Sequence, residues 1–411
     1  MAKIAVLGYG TVGSGVVEVL NTNKVSISNK AETEIEIKYV LDLREFPGSP
    51  VEDLLTKDYD QILNDDEVEV VVEVMGGIEP AYTFVKKALL KGKSCATSNK
   101  ELVALHGPEL LKIAKEHHVN FLFEASVGGG IPIIRPLNNS LTADEITEIS
   151  GILNGTTNFI LSKMKYEGLD FQTVLKEAQD LGYAELHPEA DVEGHDACRK
   201  IAILSSLAFG RHVDFSDIHT EGITKISQED FKFAKVLNKE IKLIGRCQKV
   251  GNEVFAMVAP MMLDTDNPLS HIDGVFNGIF VKGNVIGDVM FYGAGAGKLP
   301  TASAVVADVI DAVKHKGKNI ITKWSTKQKQ LMPTESIPVK FFARYTTKGH
   351  EEGRKVVDAI FDDPRWIDGV DGHEGFIVGG LTEGELNKCL LDLSAKGIEL
   401  GNMIRMESRD A

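Results

Sequence analysis

Between Tyr183 and Lys200 the chain reads Tyr-Ala-Glu-Leu-His-Pro-Glu-Ala-Asp-Val-Glu-Gly-His-Asp-Ala-Cys-Arg-Lys. Glu185, Glu189, Asp191, Glu193, Asp196, His187 and His195 thus fall in one segment broken by Pro188 and Gly194, which runs into an apolar helix from Ile201 to Phe209. Asp196 and Lys200 stand four apart where that helix begins, so they share a face, with Cβ atoms roughly 5–6 Å apart. A carboxylate and an ammonium so placed can move a proton or hold a polar substrate. Taken alone, the same residues read more simply as a solvated acidic loop with a surface ion pair. The two histidines call for no role, since no metal triad accompanies them.

The elements that would position such a site begin at the first residues. A strand, Lys3 to Leu7, runs into Gly8-Tyr-Gly-Thr-Val-Gly13, and Ser14 to Leu20 reads as helix. Strand, GxGxxG and helix in that order make a dinucleotide fingerprint: Gly8 for the tight turn, Gly10 for close approach of a pyrophosphate, Gly13 for helix against strand. Thr11 and Val12 complete the loop, and the helix N-terminus offers N–H groups to the phosphates. The segment 21–33 reads as a loop, and Glu34 to Leu41 as the second strand. Asp42, at its end, is placed to accept from the adenosine ribose and favours NAD, although it lies later than the usual ~20 residues beyond the glycines. Arg44, two residues on, could meet a 2′-phosphate instead, so NAD and NADP both stay open.

Further apolar strands at Val68–Met75, Ser94–Thr97 and Val119–Glu124 alternate with helices, which predicts a doubly wound parallel sheet of Rossmann type. Ligands of such sheets lie beyond the carboxyl ends of the strands. Gly8–Gly13, Gly76-Gly77, Asn99-Lys100 and Glu124–Gly130 all fall there.

From about Asn139 the pattern changes to an α+β region. Glu145–Leu153 alternates like a strand with one face in solvent, and Asn154-Gly155-Thr156-Thr157 precedes a helix. Strands follow at Val254–Leu263, Gly278–Val281 and Val285–Tyr292, and Tyr292 to Pro300 forms a glycine-rich loop that includes Gly295, running into a helix at Ala302–Val313. A lysine-rich stretch then reads as linker, followed by a small module of roughly βαββαβ type. The expected organisation is a dinucleotide-binding domain at 1–138 with a returning helix at 298–318, a substrate and dimerisation domain at 139–297, a linker at 319–334, and a terminal module at 335–411.

A chain of 411 residues suggests two or three domains. Its net charge of −15 argues against nucleic acid or an anionic membrane as partner. Four scattered cysteines without metal-ligand spacing suit reduced thiols in the cytoplasm. The first strand follows Met1 directly, which leaves no room for a signal peptide, and no apolar run approaches the ~20 residues that span a bilayer.

With these motifs assembled, the chain resembles the homoserine dehydrogenase family over about its first 315 residues. The resemblance rests on Gly8–Gly13, Ser98-Asn-Lys100, Glu124-Ala-Ser-Val-Gly-Gly-Gly-Ile-Pro132, Gly151-Ile-Leu-Asn-Gly-Thr-Thr-Asn158, Glu177–Glu185, Asp191–Lys200 and Gly293–Val305, in that order. It implies an NAD(P)-dependent oxidoreductase that interconverts aspartate 4-semialdehyde and L-homoserine, on the route to threonine, methionine and isoleucine. It implies Lys200 as acid–base residue, Glu185 and Asp196 as partners of the substrate's amino and hydroxyl groups, and Lys100 beside the nicotinamide and the reacting oxygen. Asn154, Gly155 and Thr156 join the substrate set. Gly8, Gly10, Thr11, Val12, Gly13, Asp42, Arg44, Gly76, Gly77, Lys100 and Gly295 make the cofactor set. A sodium-type ion is implied at Glu124, Val127, Gly129 and Ile131, held mostly by backbone carbonyls, and so is a homodimer or homotetramer. Leu186-His187 replaces the family's usual proline and acid after the glutamate. The terminal module resembles an ACT effector-binding fold, but Thr346-Thr-Lys-Gly349 stands where Asp-x-Pro-Gly is usual. Two rivals stay open: a semialdehyde dehydrogenase with a cysteine nucleophile, and a dinucleotide-binding regulator without turnover.

Overall fold

The structure, a computed structural model, describes residues 1–347 and 352–407. The chain divides into two compact units. One comprises Met1–Thr147, Ala202–Phe215 and Val281–Lys329; the other comprises Glu148–Ile201, Ser216–Phe280 and Gln330 onward.

The first unit is built on a six-stranded parallel sheet. In space its strands run Leu55–Thr56, Ile35–Leu41, Ala2–Leu7, Val68–Glu73, Ser94–Thr97, Phe121–Leu122. In chain order that is 3-2-1-4-5-6, the doubly wound arrangement with its order reversing at the first strand. Ala2–Leu7 and Val68–Glu73 are apolar almost without a break because helices cover both faces. The helix Lys298–Lys314 returns from late in the chain and packs against Thr11–Thr22, closing a core of Val16, Val17, Val305, Val306 and Val309. Gly15 makes this approach possible, since a Cβ there would stand 2.7 Å from the carbonyl oxygen of Lys298.

Two expectations for this unit need correction. The segment 21–33 is not a loop but carries a helix, Lys24–Ala31. Ile27 and Ala31, one turn apart, are buried in the core, and that one apolar stripe is too short to stand out among polar neighbours. The 319–334 linker is likewise partly structured. Trp324 is buried with its ring against Gly107, and Ser325–Gln328 pairs with Arg211–His212.

In the second unit a long hairpin, Lys239–Val250 against Glu253–Asp264, forms the centre of the sheet. The first of these strands was missed in the sequence. It pairs with Ile146–Ile152, whose last four residues are buried rather than alternating, and a further strand at Phe276–Gly283 flanks that strand on the other side. On the opposite edge Glu253–Asp264 pairs in parallel with Asn402–Met406, so the terminal module extends the same sheet. The module is βαββαβ as expected. Its strands Pro338–Thr346, Arg365–Ile367, His373–Thr382 and Asn402–Met406 lie in the spatial order 4-1-3-2, antiparallel throughout. The loop at Thr346–Gly349 lies in part outside the described residues.

A buried ion pair ties the module down. Arg344 Nε donates to Asp230 Oδ1 at 2.6 Å, and both side chains are almost wholly buried. Asp230 belongs to the capping box of the helix Gln228–Val236 and also accepts from Asn402 Nδ2 at 2.8 Å. Breaking one side of such a pair leaves a buried charge behind. Arg344→Met is expected to cost about 3–5 kcal/mol of stability, read by urea unfolding. A loss below about 1 kcal/mol would place this pair with the weak surface bridges.

Candidate active site

The cofactor half lies wholly in the first unit. Gly8 has φ +96°, a conformation that side-chain-bearing residues rarely adopt, and its N–H donates to the Leu41 carbonyl at 2.8 Å. A Cβ on Gly13 would stand 2.0 Å from the Gly8 carbonyl oxygen, so helix and turn can meet only through glycine. Around Gly10 there is no atom within 4 Å of a would-be Cβ. That open space, at a helix start with no side-chain cap, is the cradle a diphosphate needs. The glycines, Thr11 and Val12 therefore fit a dinucleotide.

At the end of the second strand Asp42 accepts from the Tyr9 N–H at 2.8 Å. Arg44 folds back onto it: its N–H and Nε donate to Oδ1, both at 3.0 Å, and Nη2 donates to Oδ2 at 2.9 Å. The guanidinium holds the Asp42 carboxyl well below the usual carboxylate range. The two residues that point to different cofactors thus form one pair. The Arg44 side chain is 63% exposed, so the pair is weakly held and can be opened by an anion. Gly76 and Gly77 have φ of +82° and +72° beyond the next strand, and Lys100 opens the helix Lys100–Glu116, capped by Asn99.

Gly129 and Gly295 belong together. A Cβ on Gly129 would stand 2.3 Å from the Gly295 carbonyl oxygen, and the Gly130 N–H donates to Ala294 at 3.1 Å. In the same loop Val127 and Ile131 are buried, and Glu124 accepts the N–H groups of Ile133, Ile134 and Arg135 at 2.6, 2.8 and 2.8 Å.

The second unit holds the proton-transfer candidates. The helix His195–Phe209 starts a turn and a half earlier than its apolar run, which puts Asp196 and Lys200 inside it. Both are buried, at 2% and 8% exposure. Lys200 Nζ donates to Asp196 Oδ2 at 2.8 Å and to the Leu153 carbonyl at 2.7 Å. The solvated surface pair that these residues alone suggested is therefore not what forms. Asn154 bridges the acids, donating from Nδ2 to Asp196 at 2.9 Å and to Asp191 at 2.7 Å. Its Oδ1 caps the helix Gly155–Glu167 through the Thr157 N–H. Gly155 lets the backbone at Val275 approach, where a Cβ would be 2.6 Å from a carbonyl oxygen. Thr156 Oγ1 donates to the Tyr183 carbonyl at 2.7 Å.

Not every expected residue joins this cluster. Glu185 is exposed, with its carbonyl accepting from Gln179 Nε2 at 3.1 Å. The sequence assigns no role to Asp191, though it falls in the same acidic segment, nor to the Leu153 carbonyl. Nothing local marks a backbone carbonyl as a lysine's partner.

The cysteine rival loses its nucleophile. Cys95 is fully buried in its strand, and burial pushes its thiol far above the ordinary range; Cys198 and Cys247 are buried too. His219, Glu221 and Glu383 come close enough to hold a metal ion, but Arg405 already sits among them, pairing with Glu221 at 2.7 Å and with Glu383. No helix among the described residues is long and apolar enough to cross a membrane.

Comparison with known proteins agrees with this geometry. The family model for the homoserine dehydrogenase NAD-binding domain matches residues 8–124, and the model described as homoserine dehydrogenase matches 132–310. The homoserine dehydrogenase of Bacillus subtilis is 44% identical over 317 residues, covering 76% of this chain and 73% of its own. A solved homoserine dehydrogenase from Thiobacillus denitrificans superposes with a TM-score of 0.89 at 34% identity, over 99% of this chain and 98% of its own. A hyperthermophilic archaeal homoserine dehydrogenase solved with NADPH superposes with a TM-score of 0.64 at 27% identity, over 76% of this chain and 97% of its own. The chain belongs to the homoserine dehydrogenase family, NAD(P)-dependent oxidoreductases that interconvert aspartate 4-semialdehyde and L-homoserine.

Proposed function

We propose that Lys200 is the acid–base residue of this reaction, oriented by Asp196 and the Leu153 carbonyl. The observation that carries this reading is a lysine buried to 8% exposure with two of its N–H bonds fixed at 2.7 and 2.8 Å. The third N–H is the one with which such an ammonium can reach a substrate oxygen. When bound, the nicotinamide cofactor supplies or accepts the hydride. As negative charge gathers on the aldehyde oxygen, Lys200 stabilises it and delivers the proton; in the reverse direction it takes that proton back. Asp196 holds the lysine and accepts from the substrate, and Asn154 keeps Asp196 and Asp191 from drifting apart. Lys100 stands beside the nicotinamide and the reacting oxygen, and Glu185 pairs with the substrate's ammonium.

A sodium-type ion at Glu124, Val127, Gly129 and Ile131 would have to rely on backbone carbonyls, because the Glu124 carboxylate already accepts three backbone N–H groups. We assign the enzyme to the cytoplasm as a homodimer or homotetramer, and assign the terminal module, by its βαββαβ order, to an ACT-like regulatory fold.

Lys200→Ala is expected to lower turnover of homoserine by about 10²-fold, the scale of lost general acid–base catalysis, while leaving the dissociation constant of the cofactor unchanged. Near-native turnover in folded protein would remove Lys200 from the mechanism. Glu185→Gln is expected to raise the KM for homoserine with little change in kcat, as loss of an ammonium partner should.

Cofactor choice turns on the Asp42–Arg44 pair. NAD leaves the pair closed, with Asp42 facing the ribose, and NADP draws Arg44 onto its 2′-phosphate. The enzyme accepts both on this reading. Arg44→Ala should weaken NADP by about 1.5–3 kcal/mol and NAD hardly at all, as measured by cofactor titration. Equal losses would mean that Arg44 acts on a part common to both.

A further inference from the structure

Glu73 ends the strand Val68–Glu73 at 0% exposure, directly after the buried apolar run Val70, Val71 and Val72. A carboxylate is costly there unless its oxygens are satisfied, and an apolar side chain would serve the core as well. Its oxygens are satisfied, by groups of two different segments. Oε1 accepts the N–H of Met75 at 2.8 Å and, more weakly, that of Gly76 at 3.4 Å, which draws in the turn Gly76-Gly77. Oε2 accepts the Thr97 hydroxyl at 2.6 Å.

Thr97 relays the contact. Its Oγ1 accepts the Asn99 N–H at 2.9 Å, and the Asn99 side chain accepts from Leu102 at 3.1 Å, capping the helix that Lys100 begins. Asn99 Nδ2 then donates to the Gly77 carbonyl at 2.5 Å. Glu73, Thr97, Asn99 and Gly77 therefore close a ring that joins the glycine turn to the first turn of the lysine's helix. Burial pushes the Glu73 carboxyl upward, and Thr97, the two backbone N–H groups and the Asn99 side chain pull against it.

We propose that Glu73 is a positioning residue for hydride transfer, acting through Thr97 and Asn99 to hold Lys100 and the Gly76-Gly77 turn in one fixed arrangement. The proposal rests on the reading of Lys100 given above. Small displacements of a group that must meet a reacting atom are expensive in rate, with ~1 Å worth about 10²-fold. A ring of short bonds around a wholly buried carboxylate is one means of preventing them.

Thr97 is the place to test it, because its hydroxyl can be removed with little change in shape. Thr97→Val should lower kcat by about 10-fold or more, and Thr97→Ser should restore most of it, since serine keeps the relay. Glu73→Gln, measured as a second variant, should lower kcat in the same way. Lys100→Ala should itself lose turnover, and adding Thr97→Val to it should change kcat by less than about twofold, because groups acting as one unit are not additive. Unchanged kcat in Thr97→Val, with or without a drop in Tm, would overturn the proposal and leave Glu73 a stability element. Full multiplication of the two effects would also overturn it, since the relay would then act elsewhere than on Lys100. Native turnover in Lys100→Ala alone would remove the reading of Lys100 and the proposal with it.

Discussion

Lys200 and Asp196 lie buried inside the start of a helix whose remainder, Ile201-Ala-Ile-Leu-Ser-Ser-Leu-Ala-Phe209, is mostly apolar, and the strand and helix that meet at Leu153 and Asn154 are fixed by that pair. Neither charge could be buried alone; the penalty for an isolated ion in a low-dielectric interior far exceeds a domain's stability. Burial is tolerated because each partner is also held by a fixed polar group, the Leu153 carbonyl for Lys200 and the Asn154 amide for Asp196. Leu153 and Asn154 in turn sit where the strand Ile146–Ile152 gives way to the helix Gly155–Glu167. Strand register, helix cap and buried ion pair are therefore one structure, and none can shift without exposing an unpaired charge.

The first unit solves a different problem with backbone rather than charge. Its loops must bring N–H groups close to a polyphosphate, and side chains would stand in the way. The close contacts at Gly13, Gly15 and Gly129 and the open space at Gly10 are two aspects of this constraint. Glycine admits neighbouring backbone in the first case and a ligand in the second. Two acidic groups, Asp42 and Glu73, enter at strand ends, where each accepts backbone N–H groups as well as a side-chain donor.

These two devices were not equally legible in the sequence. The glycine fingerprint, the alternation of strand and helix and the βαββαβ order of the terminal module depend on neighbours in sequence, and they could be read there. Asp196 and Lys200 could be paired because they are four apart on one helix. That Asn154, 42 residues before Asp196, bridges it to Asp191 depends on two segments meeting in space, which no spacing encodes. Glu73 looked like one more member of an apolar strand run, and its ring of donors comes from a neighbouring strand and helix. The strand Lys239–Val250 was passed over because its charged residues interrupt the apolar alternation. Lys242, buried on Asp273 and the Ile272 carbonyl, shows how tertiary partners override that pattern.

The most direct test of the account is a structure of the enzyme with bound cofactor and homoserine. It predicts the substrate hydroxyl within about 2.6–3.2 Å of Lys200 Nζ, with the contacts to Asp196 and the Leu153 carbonyl still in place. A hydroxyl held by other groups, with Lys200 engaged only by Asp196 and Leu153, would contradict the assignment and make the buried pair a structural one.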